Sequence, residues 1–237
     1  MLFGAKGADT LIGGQGTDNV QGGICNDVIQ IAGISEVSAL AETINGGADV
    51  DTLDLQGLGA IGRVDLTAAK IAGIEVLQIG NNQVTLTATQ LGRVESIFGN
   101  SSFDSLQLSV AGVVNLTNAI IGGIDEFRGT DSDDSFLFAR ATGGFVVNAR
   151  ASADSVQGGV GNETLLGGDG NDTLSSGAGA DSLYGQLGPA AFSGAAVEVR
   201  YAGSVLQGNV NVNAEVAADF EITLLAAPLI TLTELQL

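Results

Sequence analysis

The chain opens on a short repeating pattern, not on the 3.6-residue stripe of an amphipathic helix. Six residues rich in glycine and polar side chains are followed by three with an apolar residue in the middle, and the block of nine begins again. Three such nonapeptides run in tandem: GAKGADTLI from Gly4, GGQGTDNVQ from Gly13 and GGICNDVIQ from Gly22. An isolated cousin, GGADVDTLD, covers residues 46–54. Four more are tandem farther on: ARASADSVQ from Ala149, GGVGNETLL from Gly158, GGDGNDTLS from Gly167 and SGAGADSLY from Ser176. The last three residues of each unit suit a short parallel strand whose eighth-position side chain points inward. Val20, Val28, Val156, Leu165, Leu174 and Leu183 are expected in that slot. The glycine-rich half predicts a turn, because glycine permits positive φ and close approach of successive turns. Two nonads then make one coil, and each turn stacks on the turn eighteen residues later.

Residues 55–148 follow another period. LTAAKIAGIE from Leu66, LTATQLGRVE from Leu86 and LTNAIIGGID from Leu116 begin twenty and then thirty residues apart, which predicts larger parallel β-helix coils, one enlarged by a strand around Ser105 to Val110. Apolar runs this short leave room for a brief helix in a coil. After Gly188 and Pro189 the text changes to AVEVRYAG, VLQGNVNVN, ADFEITLL and LITLTELQL, alternating stretches that predict antiparallel hairpins capping an open solenoid. The expected architecture is all-β, a parallel β-roll or β-helix solenoid with an antiparallel carboxyl-terminal cap. Its expected parts are a first nonad block with connecting strand (1–54), irregular coils (55–148), a second nonad block (149–188) and a β cap (189–237).

Composition and charge narrow the chemistry. Thirty-six glycines with only two prolines match a repeat fold and not collagen. Twenty-seven acids against eight bases give a net charge of -19, which disfavours nucleic acid and anionic lipid and favours cations. No apolar run is long enough to insert in a membrane. The single Cys25 excludes an internal disulfide, and the absence of histidine removes Ser-His triads, Cys-His dyads and His-ligated zinc. What recurs is a carboxylate at the sixth position of each nonad: Asp9, Asp18, Asp27, Asp51, Asp154, Glu163, Asp172 and Asp181. Stacked coils turn these into ladders that repel themselves, and a hard cation held by carboxylates and turn carbonyls removes the repulsion. Asp104, Asp131, Asp133 and Asp134 are further candidate ligands, whereas Glu75, Glu95 and Asp125 read as solvated turn residues or hydrogen-bond acceptors.

The units resemble the calcium-binding RTX nonapeptide repeat, G-G-x-G-x-D followed by x, apolar, x, which builds a parallel β-roll. The resemblance implies several calcium ions, each held by the second and fourth carbonyls and the sixth-position acid of one turn. The first and third carbonyls and the acid of the next turn complete the site. Carried over, Ala5, Gly7 and Asp9 face Gly22, Ile24 and Asp27; Gly159, Gly161 and Glu163 face Ser176, Ala178 and Asp181. Arg150, Ser152 and Asp154 face Gly167, Asp169 and Asp172, while Gly168, Gly170 and Asp172 continue toward Gly185 and Leu187. Cys25 and Ser152 depart from the fourth-position glycine, and Arg150 puts a cation beside one site, so Asp172 is expected to matter more than Asp154.

The tail, through ADFEITL and the terminal LTELQL, resembles the carboxyl end of type I secreted RTX proteins. The implied function is a non-catalytic module that promotes type I secretion and calcium-dependent extracellular folding of a larger protein. Its partners are calcium, the type I secretion machinery and a fused catalytic or adhesive domain. Met-Leu-Phe-Gly-Ala-Lys has neither the basic region nor the apolar stretch of a secretory signal, so the expected location is extracellular or cell-surface by a signal-peptide-independent route. The chain opens directly in a repeat, as a fragment of a larger protein would. A structural alternative is a surface-layer or adhesin segment assembling through calcium; an enzymatic one, a polysaccharide-modifying β-helix, has only Tyr184, Tyr201 and scattered bases to work with.

Overall fold

The computed structural model describes residues 1–14, 16–31, 42–58 and 62–186, with further strands at 198–202, 205–209 and 220–223. The chain winds into a parallel β-solenoid of about eight turns, in which every solenoid strand pairs with its counterpart one coil away. Four sheets result. Sheet 1 contains Leu2–Lys6, Asn19–Ile24, Thr43–Ala48 and Lys70–Ala72, and sheet 2 runs from Thr10–Ile12 to Ile120–Gly122 in six strands. Sheet 3 begins at Gly62–Asp65 and continues through seven strands to Ser182–Gln186, while sheet 4 stacks Val113–Asn115, Ser135–Leu137, Ser155–Gln157 and Thr173–Ser175. The first nonad block is therefore a two-sided roll of sheets 1 and 2, and the second is a two-sided roll of sheets 3 and 4. Wider coils between them hand one pair over to the other.

Period-two alternation explains the core. In-register rows of aliphatic side chains run down each sheet: Leu2, Val20, Ile44, Ile71 on sheet 1 and Leu11, Ile29, Leu53, Leu77, Ile97, Ile121 on sheet 2. Sheet 3 carries Val64, Val84, Leu106, Phe127, Val147, Leu165 and Leu183 in the same way, and sheet 4 Val114, Phe136, Val156 and Leu174. Ile29, not Val28, takes the inward slot of its nonad; it is buried and Val28 is half-buried. Asp27 is the sixth residue of that unit, so Val28 is the seventh and its side chain leaves the opposite face of the pleat. Phe127, Phe138 and Phe145 fill the wide coils, with ring centroids 4.8 to 5.1 Å apart.

The expected enlarged coil contains the strand Ser105–Leu108. One coil turns its corner with a four-residue helix, Ala88–Leu91, closed by a capping box between Thr87 and Gln90. Eighteen-residue stacking holds within the tandem nonads only: Asp27 stacks on Asp51, twenty-four residues on, and intervals of 20 to 22 follow in the middle. Extra residues bulge at corners, where a coil tolerates them without breaking strand register. Near the carboxyl end Glu198–Ala202, Val205–Asn209 and Phe220–Thr223 pair antiparallel; LITLTELQL lies outside the described residues.

Candidate metal centre

The nonad turns share one backbone signature. Positive φ occurs at the second position in Ala5, Gly14, Gly23, Gly47, Arg150, Gly168 and Gly177, and at the fourth in Gly7, Gly16, Cys25, Asp49, Ser152, Gly170 and Gly179. Glycine is the residue for such a conformation, and five other residues, Ala5, Cys25, Asp49, Arg150 and Ser152, adopt it at φ between 77° and 88°. The turn of Glu163 breaks the signature: Gly159 and Gly161 do not have positive φ. Its amino-side neighbour is the loop around Ala141 and Gly143, not another nonad turn, and both glycines pack on that loop's carbonyls.

The sixth-position acids form hydrogen-bonded ladders. Asp9 N–H donates to Asp27 Oδ1 (2.8 Å), Asp27 N–H to Asp51 Oδ1 (2.8 Å) and Asp51 N–H to Glu75 Oε2 (2.9 Å). Asp18 N–H donates to Glu42 Oε2 at 2.7 Å. In the second block Asp134 N–H donates to Asp154 Oδ1 (2.8 Å), Asp154 N–H to Asp172 Oδ1 (3.0 Å) and Glu163 N–H to Asp181 Oδ1 (3.0 Å). A middle ladder joins Asn82, Asp104 and Asp125. Thus the turn of Ala5, Gly7 and Asp9 stacks on that of Gly22, Ile24 and Asp27, with Ala5 opposite Gly23 and Lys6 opposite Ile24. Ser152 N–H reaches the Asp169 carbonyl, and Ala178 N–H reaches the Gly159 carbonyl. Gly168 pairs with Gly185, while Leu187 lies outside the described residues.

From the second rung on, a ladder carboxylate spends one oxygen on the N–H of the preceding coil; the fate of the other oxygen divides the turns into two kinds. In the open kind it has no partner: Asp9, Asp18, Asp27, Asp51, Asp154 and Asp172 each bury an unpartnered Oδ2. A carbonyl of the next coil faces it at Asp9, Asp27 and Asp51. A methyl group on Gly4 would sit 2.6 Å from the Gly22 carbonyl oxygen and 2.7 Å from Asp9 Oδ2. On Gly22 it would overlap Asp27 Oδ2 and the Gly46 carbonyl oxygen. In the closed kind the second residue of the turn turns its N–H inward. Asn100 N–H donates to Asp104 Oδ2 at 2.6 Å, and Thr130 N–H and Oγ1–H donate to Asp134 Oδ2 at 2.6 and 2.9 Å. Glu163 is mixed, with Oε2 accepting from Gly159 N–H (3.3 Å) and Oε1 unpartnered.

Buried acceptors without donors are rare and costly, and here they face further acceptors. Successive rungs of a parallel solenoid are ~4.8 Å apart, where two carboxylates repel by about 3 kcal/mol at an effective dielectric of ~20. A charge-assisted hydrogen bond returns ~1.5–3 kcal/mol, so the bare ladder gains nothing from its charges. A cation changes that sum. Among the described residues no three His, Cys, Asp or Glu side chains converge, so any ion depends on turn carbonyls as much as on carboxylates. An all-oxygen donor set of this kind fits calcium and not zinc.

Burial raises the pKa of Glu42, Asp51, Asp104 and Glu163, with neighbouring acids pushing the same way. Asp154, 2% exposed, is pushed up to about 6, first by burial and then by the charges of Asp172, Asp134 and Asp133, against the hydrogen bond it accepts from Asp134. It has ladder partners on both sides, Asp134 and Asp172, and is more buried than half-buried Asp172. Arg150 turns away from the ladder to pair with Asp131 at 3.0 Å, and Asp133 Oδ1 accepts from Ala153 N–H. Glu42 was not singled out by the sequence, and Glu75 and Asp125 act as the acceptors they resemble.

Fold and turns together define a parallel β-solenoid whose corners bury unpartnered carboxylate oxygens. The family model of the RTX calcium-binding nonapeptide repeat matches the chain in four copies, over residues 2–30 and 149–189, so these two segments carry calcium-binding repeats. No curated protein and no solved structure matches the chain.

Proposed function

We propose that the chain is a non-catalytic, calcium-stabilised module that promotes type I secretion and extracellular folding of a larger protein. The observation that carries this reading is the set of buried, unpartnered carboxylate oxygens in both repeat segments, which at Asp9 and Asp27 face a carbonyl of the next coil. Asp9 and Asp27 with the carbonyls of Ala5, Gly7, Gly22 and Ile24 hold one ion. Asp154 and Asp172 with the carbonyls of Gly167 and Asp169, and Glu163 and Asp181 with those of Ser176 and Ala178, hold others. Calcium there supplies the positive charge that the ladders lack.

Without it the like charges oppose closure, and glycine-rich turns lose more backbone entropy on ordering than any other sequence. A chain that stays open at low calcium and without disulfides can pass a secretion channel extended. Millimolar calcium outside then favours the folded state by mass action. The strands after residue 197 serve as the cap of the solenoid. Among the described residues no helix is long and apolar enough to cross a membrane. Circular dichroism in excess chelator followed by excess calcium tests the proposal. A cooperative gain of β signal is expected; an identical spectrum and melting temperature in both conditions overturns it.

A further inference from the structure

We infer that the calcium ladder extends two coil interfaces beyond the first matched repeat segment, to a site between the turn 46–51 and the short corner Gly73-Ile74-Glu75. This rests on the calcium reading above and adds a place for an ion where no second nonad exists. Asp51 is 0% exposed, and its Oδ2 has no hydrogen-bond partner. A methyl group on Gly46 would lie 2.5 Å from that oxygen and would overlap the Gly73 carbonyl oxygen, so both converge on the space that a glycine leaves free. Gly73 has φ +53°, which turns the chain sharply there. Glu75, half-buried, is held against the same turn by the hydrogen bond from Asp51 N–H to its Oε2.

Two carboxylates and a carbonyl therefore meet with no donor for Asp51 Oδ2. Strands Thr43–Ala48 and Lys70–Ala72 pair with an offset of 27 residues, while the acids stack at 24, so the facing corner is three residues shorter than a nonad turn. It offers fewer carbonyls. The site consequently binds more weakly than the nonad pairs and is the last of its ladder to fill. The series stops there because the next acid on the same side, Glu95, is exposed and its N–H donates to the Glu75 carbonyl, not to a carboxylate.

Equilibrium dialysis with radioactive calcium, on the full chain, decides the matter. Glu75→Gln keeps an acceptor for Asp51 N–H and removes one ligand charge. It is expected to bind one ion fewer than the parent at 1 mM calcium while keeping the parent's circular dichroism. Asp104→Asn is expected to bind as many ions as the parent. Equal binding by Glu75→Gln and the parent overturns the site, and loss of an ion in Asp104→Asn overturns the distinction between open and closed turns. A parent that binds no calcium instead defeats the proposed function itself. Should Glu75→Gln fail to fold, anomalous scattering from calcium-loaded crystals of the parent provides the answer: a peak beside Asp51 Oδ2 and the Gly73 carbonyl supports the site, and its absence rejects it.

Discussion

Neutralising Asp154 should stabilise the calcium-free chain. In the folded state this carboxyl keeps its proton up to about pH 6, against an ordinary value of 3.8. Between those values the folded state binds more protons than the unfolded state, so stability falls as pH rises. The contribution is fully present below 3.8 and gone above about 6. At ~1.4 kcal/mol per pKa unit that gap corresponds to about 3 kcal/mol, an upper bound for one buried group. Asp154→Asn removes the charge but leaves an oxygen to accept from Asp134 N–H. In chelator at pH 7.5 the variant should therefore exceed the parent by up to about 3 kcal/mol. The advantage should vanish near pH 4 and reverse in saturating calcium, where the parent gains a ligand. Urea unfolding followed by circular dichroism at pH 4.0, 5.0 and 7.5 measures this; where the apo chain is already unfolded in buffer, the β signal recovered serves instead. A variant less stable than the parent at neutral pH without calcium, or a difference that ignores pH, refutes the electrostatic account of the ladder.

Other outcomes follow from the same geometry. Gly22→Ala places a methyl onto Asp27 Oδ2 and the Gly46 carbonyl, and should abolish calcium-induced folding, whereas Gly7→Ala meets no atom within 4 Å and should cost only ~1–2 kcal/mol for its φ of 107°. Calcium titrations of the two variants separate these effects. Phe127→Ala, at a fully buried ring in the wide coils, should cost ~3–5 kcal/mol and lower the melting temperature even in saturating calcium, as calorimetry would record.

The tandem nonads were legible because one residue type must recur at a fixed spacing for turns to stack. The eighteen-residue coil, the ladder partners Asp9 and Asp27, and the pair Glu163 and Asp181 all follow from that count. Coils of 20 to 24 residues hid Glu42 and the continuation from Asp51 to Glu75, since corner insertions change the interval without changing strand register. A shorter signal survives the insertions: glycine five residues before the acid, as in Gly46 and Asp51, Gly99 and Asp104, Gly129 and Asp134. That spacing finds the ladder but does not separate open from closed turns. The separation depends on the φ of the second residue, and Arg150 adopts the open form at φ 88° with a side chain that gives no hint of it.

The handover between sheets has a mechanical and thermodynamic corollary. Residues 2–30 hydrogen-bond into sheets 1 and 2, and residues 149–186 into sheets 3 and 4, so no sheet runs through both repeat segments. In a solenoid, order propagates between nearest neighbours. An ion arriving at one end therefore tightens its own sheets directly and reaches the other end only through the side-chain packing of the wide coils. The two ends behave as separate clamps on a shared, apolar-cored spindle, each closing at its own calcium concentration, and the spindle, not either clamp, sets how strongly one senses the other.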